Sequence, residues 1–533
     1  MPHNPIGFGA ADFVELTLAA LLLLLAFTWK PLLEAGALRL AKKAVWCMVI
    51  AALLPVALRL LLLPRDGVPT PEIYDEFGHL LVADTLRHFR LANPPQAMPQ
   101  FFETFFVLQE PTYSSIYPIG QGLMLAAGWT LFGIPWAGVL ISTAAFCGLC
   151  YWMLRGWTTP GWSLAGAVLA MIEFGPLNQW MNSYWGGSLA AAAGCLVWGS
   201  LPRLRESRLT RYAVLVGIGF AIHLLTRPYE SIFLLIGILL FFSWRDARVL
   251  MRPALIAALL VAPAIGITLL QNKRVTGNWT TLPYSLSQYQ YGVPAALTFQ
   301  PNPTPHRPLT REQSLDYKMQ LSFRGEAPET IGSYVRRLGY RVRYYRFFFL
   351  APLYLVLPFF VLRMRERRYF WAALCLLIFA LGINFFPAFQ YHYLASVTCL
   401  FVLVSVAGLE RLSQWNETAA QVVFLLCAAQ FVWIYGARFV SEPDEPGRRA
   451  FIFRELAKQP GKQLVFVRYW PRHIFQDEWV YNGADIDGAK VIWARDLGPE
   501  EDRKLIQSYP ERAVWLLEPD ARPPKLRVYD SAN

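Results

Sequence analysis

The feature that most constrains this chain is a series of apolar segments, each long enough to cross a lipid bilayer as a helix. A transmembrane helix needs about 20 mostly apolar residues. These segments lie at residues 10–29, 44–63, 136–154, 161–177, 185–201, 212–226, 229–244, 253–271, 346–362, 369–386, 391–409 and 418–438. Of 533 residues, 55% are hydrophobic and only 16% are charged. The sequence therefore predicts an α-helical polytopic membrane protein with about twelve transmembrane helices.

Lysine and arginine are concentrated in every second loop between these segments. The basic loops hold Lys30, Arg39, Lys42, Lys43, Arg155, Arg203, Arg205, Arg208, Arg211, Arg245, Arg248, Arg252, Arg363, Arg365, Arg367, Arg368 and Arg411. The positive-inside rule places these loops in the cytoplasm. The net charge of +12 thus reflects orientation, and no nucleic-acid partner is expected. Asp12 and Glu15 begin the first segment and no Lys or Arg precedes them, so we predict a retained helix rather than a signal peptide.

This orientation divides the chain into regions. Residues 1–43 are predicted to form an extra N-terminal transmembrane helix and a cytoplasmic loop, and residues 44–440 the main membrane domain. Within that domain, residues 64–118 and 272–345 are predicted outer loops. The apolar stretch 119–132 has only about 14 residues, which favours an interfacial or re-entrant helix.

The C-terminal residues 441–533 have a different composition, which predicts a small α/β domain outside the membrane. Short runs rich in β-branched and aromatic residues predict strands, and a proline followed by acidic residues predicts the start of a helix. The expected strands are 464–469, 479–482, 490–495 and 513–518, and the expected helix is 499–507.

An acidic pair, Asp75 and Glu76, lies in the first outer loop shortly after a membrane segment. Ionisable groups near a bilayer usually face a cavity or a polar partner, so the pair is a candidate site. Acidic residues also favour the first turn of a helix, and the pair is equally compatible with an ordinary solvated helix start. Apolar residues spaced three and four apart follow it, which predicts an amphipathic helix along the membrane surface.

Several further motifs accompany the pair. They are the turn Glu110-Pro111-Thr112-Tyr113-Ser114-Ser115-Ile116-Tyr117-Pro118, the helix end Leu131-Phe132-Gly133, and the short runs Asn182 to Ser188, Thr226 to Glu230 and Gln390 to Leu394. Together with the acidic pair they resemble the GT-C superfamily of membrane glycosyltransferases. The branch they resemble contains the protein O-mannosyltransferases and the lipid A aminoarabinose transferases. The resemblance covers residues 44–410 in organisation, although each motif is short.

The resemblance implies an enzyme that transfers a sugar from a polyprenyl phosphate to an acceptor hydroxyl, usually with inversion. The acceptor is a lipid, glycan or protein at the outer face of a bacterial inner membrane. Asp75 matches the catalytic acidic position and is assigned as the base, with Glu76 binding acceptor or sugar. The two side chains point about 100° apart on a helix, so they are expected to have different roles. His79 lies one helical turn from Asp75 and is expected to tune its carboxylate.

A departing lipid phosphate needs cationic or hydrogen-bonding partners. Arg227, His392 and Tyr393 are assigned to substrate binding at outer helix ends, although Arg and His in such places also act as caps or snorkel to the interface. Tyr113 and Tyr117 are candidates for lining the sugar site, or are ordinary interfacial tyrosines. Glu110 stands where the aminoarabinose transferases have a basic residue, which makes it a second acidic candidate.

No motif for a dedicated cofactor or metal is present. No HExxH, DxD or Cys/His pattern supports a dedicated metal site, and the acidic run Asp485-Ile486-Asp487 is interpreted as turn and edge residues. No glycine-rich phosphate loop is present, which argues against a nucleotide donor, while a divalent metal remains compatible with the acidic residues. Two other functions remain open. One is a transporter or flippase of sugars or lipid-linked sugars, which would be expected to show inverted repeats. The other is a membrane scaffold whose C-terminal domain binds a partner.

Overall fold

A computed structural model describes residues 4–28, 40–242, 247–325, 329–441 and 447–530. Its membrane part is built from helices. In chain order these are α1 (Ala10–Ala26), α2 (Ala44–Leu61), α3 (Leu63–Asp66), α4 (Tyr74–Arg87), α5 (Ile119–Phe132), α6 (Trp136–Leu154), α7 (Pro160–Phe174), α8 (Ser188–Ser207), α9 (Thr210–Thr226), α10 (Glu230–Phe241), α11 (Ala247–Thr276), α12 (Pro283–Tyr291), α13 (Arg311–Arg324), α14 (Ile331–Arg341), α15 (Leu357–Arg363), α16 (Arg367–Ile383), α17 (Thr398–Ser413) and α18 (Glu417–Val440).

Five helical segments in the described residues are long and apolar enough to cross a membrane, or six if one bent pair is counted as a span. The five are Ala44–Leu61, Trp136–Leu154, Met251–Thr276, Tyr391–Ser413 and Glu417–Val440. Four shorter apolar helices, α5, α7, α9 and α10, accompany them. The structure thus confirms a mostly helical chain with several apolar spans, and the number twelve stays a prediction.

The segment 346–362, predicted as one helix, is broken in the structure. A 3₁₀ helix at Val342–Phe348 is followed by a second at Ala351–Val356 and then by α15, with a bend of 112° in this region. Pro352 has no N–H to donate to the carbonyl of Phe348, and its ring would collide with that carbonyl in a continuous helix. The proline therefore explains why the first helical piece ends at Phe348.

The bundle is packed around α8 and α17. The Trp157 and Trp371 rings stack with their centroids 5.4 Å apart, and Trp198 of α8 packs against Trp371. The backbone of Ser396 passes so close to Gly194 of α8 that a Cβ there would lie 1.9 Å from the Ser396 carbonyl oxygen. This contact holds the 3₁₀ segment Tyr391–Val397 against α8.

Two features of the chain between α2 and α6 follow the sequence predictions. The predicted amphipathic helix is α4, whose buried residues include Phe77, Leu81 and Val82, and the short apolar stretch 119–132 is the 14-residue helix α5. The position of α4 along the membrane surface stays a prediction. Between them lie a 3₁₀ turn at Pro99–Phe102 and a two-stranded antiparallel ribbon of β1 (Val107–Leu108) and β2 (Ser114–Ser115). This ribbon precedes the turn that carries Tyr117 into α5.

The C-terminal residues form a four-stranded sheet with the order β4-β3-β5-β6. Its strands are β3 (Lys462–Val467), β4 (Val491–Arg495), β5 (Arg512–Glu518) and β6 (Lys525–Val528), flanked by α19 (Arg448–Lys458) and α20 (Pro499–Ser508). Strand β3 is parallel to β4 and β5, whereas β6 is antiparallel to β5. Strand β6 and helix α19 were not predicted from the sequence. The predicted helix 499–507 corresponds to α20.

The predicted strand 479–482 is absent from the described sheet. Asn482 occupies the edge of β4, where its side-chain amide donates to the Trp493 carbonyl and its Oδ1 accepts from the Trp493 N–H. One side chain therefore makes the two bonds that a neighbouring strand would make, which is why a strand-like composition produces an irregular segment here.

This C-terminal layer packs directly on the loop that carries α4. Phe77 stacks on Tyr481 with ring centroids 4.4 Å apart, and a carboxylate oxygen of Asp84 accepts from the Ala484 N–H at 2.7 Å. Phe77, Leu81 and Phe101 share one hydrophobic core with residues of the sheet, including Leu464, Phe466 and Ile492. The layer and the loop 64–118 are thus joined by a common core.

Candidate functional site

The first turn of α4 places the two acidic side chains in different surroundings. Glu76 is buried, and its Oε2 accepts from the backbone N–H groups of Glu72 and Ile73 at 2.9 and 3.3 Å. Its Oε1 accepts from the Tyr184 N–H at 2.8 Å. Both oxygens of Glu76 are therefore engaged with backbone donors, where they close the start of α4 and tie it to the segment before α8.

Asp75 is half-buried and faces a cluster of aromatic and basic side chains. The Tyr117 hydroxyl donates to its Oδ1, and the Trp185 side chain supplies a second hydrogen bond. Tyr117 comes close because residue 78 is glycine: a Cβ on Gly78 would lie 2.6 Å from the Tyr117 ring. Because Gly78 has no side chain, Tyr117 can come close enough to donate a hydrogen bond to the Asp75 carboxylate.

Burial raises the pKa of Asp75 to about 6. The hydrogen bond from Tyr117 and the positive charge of Arg227 act in the opposite direction and favour the charged carboxylate. Burial, with a further contribution from Arg227, lowers the pKa of His79 to about 3, so this imidazole is neutral near pH 7. The result is a carboxylate that is mostly ionised at neutral pH but is a stronger base than an exposed aspartate.

Arg227 reaches this cluster because α9 ends directly before it. A residue preceding a proline is disfavoured in the α conformation, and Arg227, before Pro228, has φ −141° and ψ 75°. Helix α5 packs closely on this end of α9, since a Cβ on Gly120 would lie 2.5 Å from Thr226 Oγ1. Tyr117 and Arg227 are therefore brought together by the contact between two helix ends.

The remaining members of the cluster surround the same space. His79 packs on Tyr117 with ring centroids 4.3 Å apart, and His392 lies 5.0 Å from both Trp185 and Tyr393. The Arg227 guanidinium lies over the Tyr393 ring at 5.6 Å. The structure thus groups six of the residues selected from the sequence, namely Asp75, His79, Tyr117, Arg227, His392 and Tyr393.

Three selected residues have other surroundings. Glu110 is exposed and pairs with Arg307 at 3.1 Å. Tyr113 is buried, and its hydroxyl donates to the Asn482 carbonyl at 3.0 Å, so it contacts the C-terminal layer. Glu76 is held by the backbone donors described above. Sequence spacing could not separate these three from the cluster, because each lies within a few residues of a member of it.

No protein-family model matches the chain, and no curated protein matches it significantly. Solved structures do. ArnT from Cupriavidus metallidurans in the apo state has a TM-score of 0.52 at 11% identity, with 89% of this chain and 93% of that chain covered. ArnT bound to undecaprenyl phosphate gives a TM-score of 0.51 at 10% identity over 91% and 93% of the two chains. The apo oligosaccharyltransferase of Archaeoglobus fulgidus gives 0.50 at 12% identity over 89% of this chain and 69% of that one.

The chain shares the fold of ArnT and of this oligosaccharyltransferase. The predicted resemblance is thereby confirmed at the level of the fold, and the chain is a multi-pass membrane protein. Within this fold, the cluster around Asp75 is built from the first turn of α4, the segment before α5, the segment before α8, the end of α9 and the 3₁₀ segment Tyr391–Val397.

The cluster around Asp75 also contains two residues that were not predicted from the sequence. Trp185 bonds Asp75, and Asp316 of α13 is buried within electrostatic reach of it. Trp185 lies inside the run Asn182 to Ser188, so that motif carried a usable signal. Asp316 lies 241 positions from Asp75 in the sequence. The only signal for it was that residues 272–345 were predicted on the same side of the membrane as Asp75.

In the described part of the chain, no three His, Cys, Asp or Glu side chains lie close enough together to hold a metal ion. The residues present therefore do not fit a resident metal held by three such ligands.

Proposed function

We propose that the chain is a glycosyltransferase that moves a sugar from a polyprenyl-phosphate donor to an acceptor hydroxyl, with Asp75 as the base and with inversion at the anomeric carbon. The observation that carries the proposal is the convergence of Asp75, Tyr117 and Arg227 in a GT-C fold. ArnT, which shares this fold, has been solved with undecaprenyl phosphate. That supports a donor of the same chemical class.

The reaction needs a group that removes the acceptor proton. In the proposed step the Asp75 carboxylate takes the proton of the acceptor hydroxyl while the acceptor oxygen attacks the anomeric carbon of the donor. Its pKa of about 6 supports this role, since the carboxylate is ionised at neutral pH and its basicity is raised. Tyr117 and Trp185 fix its orientation through their hydrogen bonds.

The reaction also needs stabilisation of the leaving group. As the bond between the anomeric carbon and the phosphate oxygen breaks, its electron pair moves to that oxygen and leaves a polyprenyl phosphate. A guanidinium is well suited to stabilise the negative charge that develops on the phosphate. We assign this role to Arg227, with His392 and Tyr393 as neighbours that line the site.

The other assignments follow from the placement of each side chain. We propose that Glu76 fixes the start of α4 and does not bind substrate directly, because its oxygens accept three backbone N–H groups. Tyr113 and Glu110 are assigned to the packing and ion pairing of the first loop.

For the orientation we propose that the Asp75 side of the protein and the C-terminal layer face outward from a bacterial inner membrane. The support is the alternation of basic loops. Accessibility labelling of single cysteines at positions 303 and 365 tests it. Position 303 should react from outside intact cells and position 365 only after permeabilisation, and the reverse pattern would overturn the orientation.

The activity is tested by incubating purified chain with polyprenyl-phosphate sugars and an envelope extract as acceptor. Asp75→Asn keeps the shape but removes the base, so transfer should fall by roughly 10²- to 10⁴-fold. The melting temperature should stay close to that of the unaltered chain. Glu72→Gln is the matched control, because it neutralises an exposed carboxylate three residues away and should transfer normally.

Two outcomes would contradict the proposal. Full transfer by Asp75→Asn would remove Asp75 as the base. No glycosidic product from the unaltered chain with any lipid-linked donor, together with movement of lipid-linked sugar across a liposome membrane, would favour the transporter instead.

A further inference from the structure

Asp316 is a buried acidic residue that the proposed reaction does not use. It lies on α13 and is fully buried. Its Oδ2 accepts from the side-chain NH₂ group of Gln320 at 2.8 Å. The side-chain oxygen of Gln320, Oε1, accepts from the Ala295 N–H at 2.7 Å. Because both ends of the Gln320 amide are bound, one oxygen of Asp316 is held in a fixed position.

The other oxygen, Oδ1, is buried and has no hydrogen-bond partner among the described residues. A buried acceptor without a partner is costly, and buried polar groups in proteins are nearly always paired. Such a group in an otherwise well-bonded region indicates a partner that arrives with a ligand. An ordered water would satisfy Oδ1 equally well in the resting protein, and a ligand hydroxyl would then replace it.

A second acid on the same helix shows what a purely structural carboxylate looks like here. Glu312, one helical turn before Asp316, is also buried, and its Oε2 pairs with Arg495 at 2.7 Å. The charged group that acts on Asp316 is instead Asp75, which has the same sign and, together with burial, raises the pKa of Asp316 to about 7. Asp316 therefore lacks the compensating cation that Glu312 has.

The position of Asp316 connects it to the candidate site. The charges of Asp75 and Asp316 both act on the Tyr74 hydroxyl, which lies next to Asp75 at the start of α4. The Tyr74 ring is fixed by Phe105 and Phe106, with ring centroids 5.3 and 5.0 Å away. Two carboxylates from distant parts of the chain thus converge around one fixed aromatic residue.

We propose that Asp316 is a substrate-binding residue whose Oδ1 hydrogen-bonds a sugar hydroxyl other than the one that Asp75 deprotonates. In its ionised form, the Asp316 carboxylate can only accept hydrogen bonds, so a ligand bound by that form must offer O–H or N–H donors. Polyhydroxylated sugars offer several hydroxyl donors at once. This inference rests on the proposed function, and it adds the recognition of a specific hydroxyl to it.

The first measurement is the thermal stability of purified Asp316→Asn at a pH well above 7, where the carboxylate of the unaltered chain is ionised. This measurement does not depend on any activity. If Asp316 exists for ligand binding, removing a buried, uncompensated charge should leave the melting temperature unchanged or raise it. A fall in melting temperature would overturn the assignment, because it would show that the carboxylate supports the fold. Lys318→Ala, an exposed change two residues away on α13, is the matched control and should have no effect.

The second measurement compares transfer kinetics with complete and singly deoxygenated polyprenyl-phosphate sugars. Asp316→Asn should raise KM for the complete donor by about 10- to 100-fold, as expected for losing a hydrogen bond to a charged group, with a smaller change in kcat. One of the deoxy donors should have a raised KM with the unaltered chain, because it lacks the hydroxyl that Asp316 binds. For this donor, Asp316→Asn should not raise KM any further. An unchanged KM, or additive losses for every deoxy donor, would overturn the assignment.

Failure of the proposed function gives a different pattern. If the unaltered chain transfers no sugar, the glycosyltransferase proposal fails, and the direction of the melting-temperature change still decides whether Asp316 supports the fold. If the unaltered chain transfers sugar and Asp316→Asn behaves identically, only the role of Asp316 fails.

Discussion

Buried carboxylates occur in two neighbouring regions of this protein, and they have different kinds of bonding partner in each. Where the C-terminal layer meets α13, Arg495 pairs with both Glu312 and Glu478, and Arg307 pairs with Glu103. In the cluster around Asp75, the carboxylates of Asp75 and Asp316 are bound by hydroxyl, indole and amide groups.

The difference follows from what each region must do. A close ion pair uses the charge of a carboxylate and leaves little capacity for another partner. A carboxylate bound by neutral donors, such as that of Asp316, keeps an oxygen free for a ligand. The first arrangement joins two parts of the chain, and the second arrangement leaves acidic groups available for chemistry.

Breaking the paired region should have the largest effect on stability. Arg495→Met would leave Glu312 and Glu478 buried without their cation, which typically costs about 3–5 kcal/mol of unfolding free energy. Thermal or denaturant unfolding of purified chain measures this loss. Arg448→Met is the matched control, because both side chains of the Arg448 pair with Asp477 are exposed and the pair should contribute only about 0–1 kcal/mol. Equal losses in both variants would contradict the structural role of the buried pair.

Glu76 tests the same difference between structural and reactive carboxylates. It lies beside Asp75, but its oxygens accept backbone N–H groups and so support the fold. Glu76→Gln replaces one acceptor oxygen by an NH₂ group that faces backbone donors, so we expect a loss of about 1–3 kcal/mol in stability. Transfer by the folded fraction should stay within about tenfold of normal. Melting curves and initial rates on the same preparation test this. A loss of activity as large as that of Asp75→Asn, without a loss of stability, would instead place Glu76 in the reaction.

The smallest effect concerns the acidity of Asp75. The base works in its ionised form and its pKa is about 6, so kcat/KM should be level above that pH and fall about tenfold per pH unit below it. Tyr117→Phe removes a hydrogen bond that favours the ionised form, which should move this acidic limb upward by about one pH unit or less. Tyr113→Phe, which alters a bond outside the cluster, should leave the limb in place. A downward shift in Tyr117→Phe would contradict the assigned hydrogen bond.

Much of the fold could be predicted because its signals are local. Helix α5 and helix α6 have the predicted bounds, 119–132 and 136–154, since a run of apolar residues between polar or proline-containing turns defines a helix by itself. The break after Phe348 was missed because the same apolar composition fits a straight helix, and only Pro352 indicated otherwise. The irregular segment at 479–482 was missed because its bonds come from the Asn482 side chain.

The candidate site could be predicted only where a motif marked it. Asp75, Tyr117 and Arg227 lie in short motifs with recognisable resemblance, and the structure brings them together. Asp316 belongs to no motif, and its meeting with Asp75 depends on how α13 packs against the first loop, which spacing along the chain does not encode. Tyr113 and Tyr117 look alike in sequence, but they lie on opposite sides of the turn, and one faces the C-terminal layer.

The core shared between α4 and the C-terminal sheet has a consequence for biosynthesis. Strand β3 lies between β4 and β5, so the sheet that holds Phe77 and Leu81 of α4 is incomplete until residues 512–518 have been made. The helix that carries Asp75 therefore obtains part of its support from residues that are made more than 400 positions later in synthesis. A chain cut before residue 512 would keep the membrane helices but lack this support for Asp75, so the order of synthesis itself delays the assembly of the site.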